Sequence, residues 1–536
     1  MTRLSIDHER AYCGGPLTEV FRGATLAARL GEAARRHRNV RQNYWSDGAI
    51  EPVELSKLHA VGLRLASALR DLGVRRGDVI AVQMPNSFET AVAYRACFNL
   101  GAVLAPVVHI SGSRELGFIV RQSGAKVLIV RDRWRSTDFR SIIGAIGDCP
   151  ALEHVVIVGD ASTCQGAIGW QRLLNDAGGD FLDMETRPSD PSLLLYTSGT
   201  TADPKGVLHT SNSLLSELDQ RIGMGDDPAA TTFSAWPAGH IGGFASLIYP
   251  QVTGASSVVM DRWEPNAAVG LLERYRVSRT TGVPVYLTEL LDRVEAGIVD
   301  LSMLRSYMTG AASVAPSIVE RAQHAGISVF RCYGCSEHPT ISSGRPSDSI
   351  EERAYTDGQL MPGTKIRLVD DNDADVGEGE EGEIVTRGAE LFDGYTDPAL
   401  AEGAFVEGWY RTGDIGRMIG GRLTITDRKK DIIIRGGENI SSKEVEDVLA
   451  SHPAVAAVAA FAIPHPRLGE TICVAVTPVA GHSLTQEQVR AHFLLAGSAR
   501  QKMPERLEII AELPRTASGK IKKHELRARF ATRDTV

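Results

Sequence analysis

Eleven residues near the middle of the chain, Tyr196-Thr197-Ser198-Gly199-Thr200-Thr201-Ala202-Asp203-Pro204-Lys205-Gly206, concentrate hydroxyls, glycine and one lysine in a stretch with neither helical nor strand periodicity. The apolar run Leu193-Leu194-Leu195 leads into them and reads as the end of a buried strand. Such a loop can wrap a polyphosphate. Backbone N–H groups and hydroxyls donate to phosphate oxygens, glycine allows close approach, and lysine adds a point charge. It is not a Walker loop, which would need glycine where Pro204 stands and Ser or Thr where Gly206 stands. A second grouping, Cys332-x-x-Cys335, is by itself weak evidence for metal or redox chemistry. It has no second pair and no histidine spacing, and the seven cysteines are scattered and odd in number.

The elements that would position these residues follow from hydrophobic pattern. From about Leu55 to Val158 helices and strands alternate. Helices are expected at Leu58–Leu72, Glu89–Leu100 (stopping at Gly101) and Arg114–Ser123. Strands are expected at Val79–Val82, Ala102–Val108, Lys126–Val130 and His154–Val158. Repeated β-α units imply a parallel sheet covered by helices. Alternation resumes after the hydroxyl loop, with Ser211–Leu218 and Ala267–Tyr275 helical and Ala255–Met260 extended. Around residues 363–426 short Gly- and Asp-rich strands such as Lys365–Val369 and Gly382–Thr386 read as an antiparallel subdomain, placed at about 350–426. The fold class is therefore α/β, with a large N-terminal domain over 1–429 and a small α+β C-terminal domain over 430–536. The charged run Asp427–Asp431 at the joint reads, on its own, as a solvated linker.

Composition narrows the classes. At 536 residues at least two domains are expected, and 43% apolar with 23% charged residues are the proportions of a soluble globular protein. A net charge of −8 argues against a generic nucleic-acid binder. The longest apolar run, Ala454–Ile463, is half a membrane span and reads as a strand of small residues. The first ten residues lack a signal-peptide core, so the expectation is a cytoplasmic protein without an integral membrane segment.

The hydroxyl loop resembles the signature Y-T-S-G-T-T-G-x-P-K-G of the adenylate-forming superfamily, with Ala202 where that pattern has glycine. Further segments resemble the superfamily's motifs in the same order and over nearly the whole chain. They are Trp236-Pro237-Ala238-Gly239-His240, Thr309-Gly310-Ala311-Ala312, Arg331-Cys332-Tyr333-Gly334-Cys335-Ser336-Glu337, Gly408-Trp409-Tyr410-Arg411-Thr412-Gly413-Asp414, Gly436-Gly437-Glu438-Asn439-Ile440 and Pro514-Arg515-Thr516-Ala517-Ser518-Gly519-Lys520. The resemblance accounts for the C-x-x-C by coincidence.

It also implies roles. ATP would be held by Thr197, Ser198, Gly199, Thr200, Thr201 and Lys205, with Gly310, Ala311, Ala312, Cys332, Tyr333 and Gly334 against adenine. Ser336 would bond near the α-phosphate, Asp414 would accept from both ribose hydroxyls, and Arg428 would contact ribose or phosphate. Glu337, with Thr201, would hold Mg²⁺. His240 would gate the carboxylate, and Lys520 would bridge carboxylate and α-phosphate. Trp236, Gly242, Gly243, Cys335 and His338 join His240 in the acid pocket, which contains no cation for a second carboxylate; Gly436 and Gly437 would line the coenzyme A channel. Lys430 matches the hinge about which the small, mobile domain turns between two half-reactions.

The expected activity is activation of a hydrophobic fatty, alicyclic or aromatic acid to acyl-AMP and transfer to coenzyme A. The overall pattern is similar to bacterial ligases for such acids, and the resemblance leaves room for a homodimer. A peptide-synthetase adenylation domain is disfavoured: it would usually carry an aspartate where the His240 segment stands, and a carrier domain beyond Lys520, after which sixteen residues remain. A luciferase-like enzyme shares every motif. A non-catalytic adenylate-binding regulator is disfavoured by intact Glu337, Asp414 and Lys520.

Overall fold

The computed structural model describes residues 23–178, 186–197, 204–223, 230–312, 314–401, 403–435, 438–465, 467–496, 498, 500–516 and 519–531. One sheet, of eight strands, runs in the order Gly394–Tyr395, Lys205–Thr210, Pro191–Thr197, Val103–Val107, Val79–Gln83, Val127–Arg131, His154–Val158, Ile168–Gly169. From Pro191–Thr197 to Ile168–Gly169 all neighbours are parallel. Both faces are covered, and the strands read as unbroken apolar runs for that reason. Successive residues of one strand enter different cores. Ile80, Val82, Leu104, Val127 and Ile129 pack into one, and Val79, Ala81, Val103, Leu128 and Val130 into the other.

The predicted helix before Gly101 spans Phe88–Leu100. Ser87 caps its start by accepting from the Thr90 N–H, and Gly101 ends it in the left-handed conformation at φ 65°. A side chain at Gly101 would also strike Thr186 at 2.6 Å.

A second sheet begins with three parallel strands, Arg279–Gly282, Ser306–Thr309 and Ser328–Tyr333. The antiparallel strands expected over about 350–426 continue this sheet. Ser328–Tyr333 pairs antiparallel with Ser342–Ser343, and the sheet continues through Gln359–Leu360, Arg422–Arg428, Trp409–Ile419, Gly382–Arg387 and Lys365–Val369. The chain leaves this sheet at Arg428 and enters another at Ile433–Arg435. There Val455–His465 pairs antiparallel with Gly469–Pro478, packing Ala460, Ile472 and Val474 on one face and Phe461 and Cys473 on the other.

The charged run between the two sheets is not a solvated linker. Asp427 is 6% exposed and its carboxylate accepts from the Ser442 N–H (2.6 Å) and Ser442 hydroxyl (3.1 Å). Asp431 pairs with Arg527 at 2.6 Å. Both acids are therefore structural ties to the C-terminal sheet's helices. No helix among the described residues is long and apolar enough to cross a membrane.

Candidate active site

The hydroxyl loop is flanked by two paired strands. Pro191–Thr197 runs antiparallel to Lys205–Thr210, with Tyr196 opposite Gly206 and Thr197 opposite Lys205. Ser198, Gly199, Thr200 and Thr201 lie outside the described residues. The paired strands are fixed by close packing. A Cβ on Gly206 would lie 2.3 Å from the Thr396 hydroxyl, and Tyr196 donates its hydroxyl to Gln122, whose amide donates to Thr396 at 2.8 Å.

Lys205 and Glu337, distant in sequence, meet at one ring. The Lys205 ammonium sits 5.7 Å from the centre of the Tyr395 ring, and the Tyr395 hydroxyl donates to Glu337 Oε1 at 2.8 Å. Glu337 is 8% exposed, and its second oxygen accepts no bond among the described residues. That free oxygen suits a hard cation shared with phosphate, which needs few protein carboxylates. Thr201, its expected companion, lies outside the described residues. Ser336 is held through its carbonyl, which His209 Nε2 approaches to 2.7 Å. The loop that carries both is tight: a Cβ on Gly334 would fall 2.0 Å from the Pro339 carbonyl oxygen.

A cleft of about 450 Å³ opens beside these residues, lined by Ala311, Ala312, Tyr333, Asp414, Arg428 and Lys520. Cys332 and Gly334 also line it. Asp414 accepts from the Tyr333 hydroxyl (2.8 Å) and from Arg428 Nε (2.7 Å). The pair register of the hairpin places Asp414 directly opposite Arg428. The Asp414 charge, working against desolvation, raises the Arg428 value. Across the cleft, Ala311 holds a left-handed φ of 65°, a conformation that costs a non-glycine residue on the order of 1 kcal/mol. Gly310 beside it leaves no room for a side chain, since a Cβ would meet the Cys332 carbonyl oxygen at 2.7 Å. Burial pushes the Cys332 thiol up to about 12 and Cys335 well above its ordinary value, so both stay protonated near neutral pH.

The Trp236–His240 segment is clamped by Asn86, 150 residues earlier in the chain. Its amide donates to the Trp236 carbonyl (2.8 Å) and the Met260 carbonyl (2.9 Å), and its oxygen accepts from the Ala238 N–H (2.9 Å). His240 then caps the helix Ile241–Thr253. Gly243 permits the fold-back: a Cβ there would overlap the Pro237 carbonyl oxygen at 1.9 Å. A Cβ on Gly242 would lie 3.4 Å from the Trp236 ring.

His240 Nε2 is buried without a partner. Burial first, then the nearby charges of Lys520 and His109, push its value down to about 4. The Lys520 carbonyl accepts from the Thr516 N–H (2.7 Å), and Gly519 before it holds a left-handed φ of 81°. Lys520 is exposed to the cleft in surface area, yet protein crowds it closely. Burial and then Arg428 lower its ammonium, against the pull of Asp414, Cys335 and Glu337. A narrow cleft gives the ammonium accessible area without bulk solvation, so desolvation acts on it despite that area.

Some expected residues are placed elsewhere. His338 does not reach the acid site. Its side chain is wholly buried on the far side of the loop, with Nδ1 3.0 Å from the Thr386 hydroxyl and Nε2 3.3 Å from Glu390 Oε1, though not aligned there for a hydrogen bond. Gly436 and Gly437 lie outside the described residues. Lys430 lies in the chain between Arg422–Arg428 and Ile433–Arg435; its side chain is exposed in surface area, yet crowding by neighbouring protein, then Arg428, bring it down to about 8. Sequence reasoning did not find Asn86, Tyr395 or the carbonyl contact of His209. None stands in a chemistry-bearing cluster, and each acts across the fold.

Comparison with known proteins follows this geometry. Residues 35–396 match the model of the family described as AMP-binding enzyme, and residues 444–520 match the AMP-binding enzyme C-terminal domain. A medium-chain fatty-acid–CoA ligase of Escherichia coli strain K12 is 34% identical over 86% of this chain and 83% of its own length. An indoleacetate–CoA ligase of Aromatoleum aromaticum is 33% identical over 88% of this chain and 93% of its own. Among solved structures, an anthranilate CoA ligase in complex with anthranoyl-AMP superposes with a TM-score of 0.86 at 23% identity, covering 96% of this chain and 98% of that one.

Proposed function

Because the chain belongs to the AMP-binding enzyme family, we propose a division of labour among its residues: it is an AMP-forming carboxylate–CoA ligase, and Lys520 serves the first of its two half-reactions. The observation that carries this reading is the meeting, around one cleft, of Lys520 from the C-terminal part with Tyr333, Asp414 and Arg428 from the rest of the chain.

A carboxylate needs no base to attack, since it is ionised at neutral pH. The difficulty is bringing one anion onto another. Lys520 faces the carboxylate and the α-phosphate and offsets their repulsion, and Lys205 does the same further along the polyphosphate. Asp414 accepts from the ribose hydroxyls, and the strained turn at Ala311 presents backbone to adenine. Glu337, with one oxygen fixed by Tyr395, would hold Mg²⁺, which supplies charge neutralisation at the phosphates when bound. Neutral His240, with an unpartnered Nε2, shields the acid's carboxylate from water.

Pyrophosphate leaves, and the coenzyme A thiol then attacks the acyl carbon and releases AMP. Lys520 obstructs this second step, so the small C-terminal domain, from 430 onward, turns at Lys430 and brings the 436–437 segment to the thiol. Among the described residues the Lys430 N–H makes no backbone hydrogen bond, so turning about this residue breaks none there. The acids are hydrophobic: fatty, alicyclic or aromatic.

Purified protein offered a panel of such acids with ATP and Mg²⁺ should release AMP rapidly only when coenzyme A is added, and exchange pyrophosphate into ATP without it. Acid-independent ATP hydrolysis, or no exchange with any acid, refutes the reading.

A further inference from the structure

A second cavity, of about 180 Å³, lies between the helix Ile241–Thr253 and the parallel strands Arg279–Gly282, Ser306–Thr309 and Ser328–Tyr333. Apolar cavities of about 150 Å³ take up benzene, so this one has room for a six-membered ring. Its position is fixed relative to the cleft by the strands themselves. Arg279, Ser306 and Ser328 are in register, and the side chains of Thr281, Ser306, Met308 and Phe330 wall the cavity. Tyr307, between Ser306 and Met308, packs into the core on the other face. The same strands end in the nucleotide cleft at Ala311 and Tyr333, three to five residues further on. At about 3.3 Å per residue the cavity therefore lies on the order of 10–15 Å from the adenylate position.

The helix leads to the same place. Ser246, Tyr249 and Thr253 line the cavity, and with Gly242 they follow steps of four, three and four residues, which put them on one face. Gly242 itself packs on Trp236, two residues beyond His240. A molecule whose carboxylate sits at His240 can thus extend along this face into the cavity.

The walls are not those of a plain hydrocarbon pocket. Met308, Phe330 and Leu218 contribute apolar area, but hydroxyl-bearing residues come from two of the three strands, Thr280 and Thr281 from one and Ser306 from the next. Several are satisfied locally, as Thr280 is by the Phe233 carbonyl at 2.9 Å. The side-chain hydroxyls of Thr281 and Ser306, both of which line the cavity, make no hydrogen bond among the described residues, so each can serve a molecule placed there. Arg221, Arg279 and Arg345 are also among the lining residues, Arg221 with Glu217 Oε1 at 3.8 Å, and among the described residues no aspartate or glutamate lines the cavity. Donors and positive charge without an acidic side chain favour an oxygen acceptor and disfavour a cation.

We propose that this cavity is the far compartment of the acid site and selects acids whose distal, ring-sized part carries a hydrogen-bond-accepting oxygen, a carbonyl or hydroxyl, within reach of Thr281 and Ser306. The proposal rests on the acid-activation reading above and adds the substrate class.

The test uses a matched pair, 3-cyclohexylpropanoate and 3-(4-oxocyclohexyl)propanoate, measured by AMP release with coenzyme A. The oxo acid should have the higher kcat/KM by about tenfold, the effect of roughly one added hydrogen bond. Thr281→Val and Ser306→Ala, each checked by melting temperature, should bring the ratio toward one. Affinities of the two corresponding acyl-sulfamoyl-adenosines need no turnover and should show the same preference. Equal or reversed preference in the unmodified protein, or a ratio untouched by both substitutions, overturns the compartment. Efficient AMP release from both acids without discrimination would leave the activation reading standing and remove only this one. If neither acid releases AMP, the analogue affinities decide the cavity by the same criterion, and the activation reading is decided separately by the acid panel.

Discussion

Asp414→Asn separates a nucleotide-binding role from a structural one. The carboxylate already accepts from Tyr333 (2.8 Å) and Arg428 (2.7 Å) and is 5% exposed. A carboxylate offers about four lone-pair sites, so about two remain for the ribose hydroxyls. The amide keeps the shape but loses the charge and one acceptor oxygen. Charge-assisted hydrogen bonds are worth about 1.5–3 kcal/mol and roughly twice their neutral counterparts, so each ribose contact should lose about 1–1.5 kcal/mol. Two contacts give about 2–3 kcal/mol, a roughly 30- to 150-fold weaker nucleotide complex. The cost to folding is smaller. The Arg428 side chain is 42% exposed, and solvent screening holds the Arg428–Asp414 pair to about 1 kcal/mol or less. Calorimetric titration with AMP and thermal melting of the same preparations measure both effects. AMP affinity within threefold of the unmodified protein, together with a lowered melting temperature, would refute the argument and make Asp414 a purely structural partner of Arg428.

Three further outcomes are expected. Glu337→Gln should raise the Mg²⁺ concentration for half-maximal pyrophosphate exchange by about tenfold or more, because the oxygen left open by Tyr395 loses its charge; unchanged metal dependence would make Glu337 structural. Lys430→Pro sacrifices no backbone hydrogen bond in this arrangement, so pyrophosphate exchange should survive better than thioester formation from supplied acyl-AMP; wild-type rates for both would move the pivot elsewhere. His240 has a value depressed from 6.5 to about 4, so the unfolded chain takes up its proton first as pH falls. That component of stability is present above about pH 6.5 and is lost as pH falls toward 4, and His240→Gln should flatten the melting-temperature profile in that window; an unchanged profile would mean the imidazole is not buried in solution.

Much of the site was legible because its chemistry is carried by short contiguous segments. The strand ending at Leu195, the hydroxyl loop, and the Gly-rich turn before Asp414 each announce themselves by composition. The parallel strands were legible for a related reason: burial on both faces makes them unbroken apolar runs, as at Val127–Arg131. What was hidden depends on tertiary contact. Asn86 grips a segment 150 residues away, and Tyr395 joins Lys205 to Glu337 through one ring and one hydroxyl. The join between the parallel strands and the antiparallel region runs through two-residue strands such as Ser342–Ser343, too short to show a period. His338 was misassigned because it is next to Glu337 in sequence, whereas its side chain is directed toward Thr386. The distal cavity escaped notice because its walls, Thr281, Ser306 and Phe330 among them, belong to strands with no motif of their own.

The central claim is that Lys520 neutralises charge in the first half-reaction alone. The most direct measurement compares the two half-reactions in Lys520→Ala: pyrophosphate exchange with the preferred acid, and thioester formation from supplied acyl-AMP. Removing one preorganised charge or donor at a developing anion costs on the order of 10²–10³-fold. Exchange should fall by that amount while thioester formation stays within about threefold, since the Lys520 loop leaves the site for the second step. Equal loss of both half-reactions, or exchange at the wild-type rate, would contradict the account.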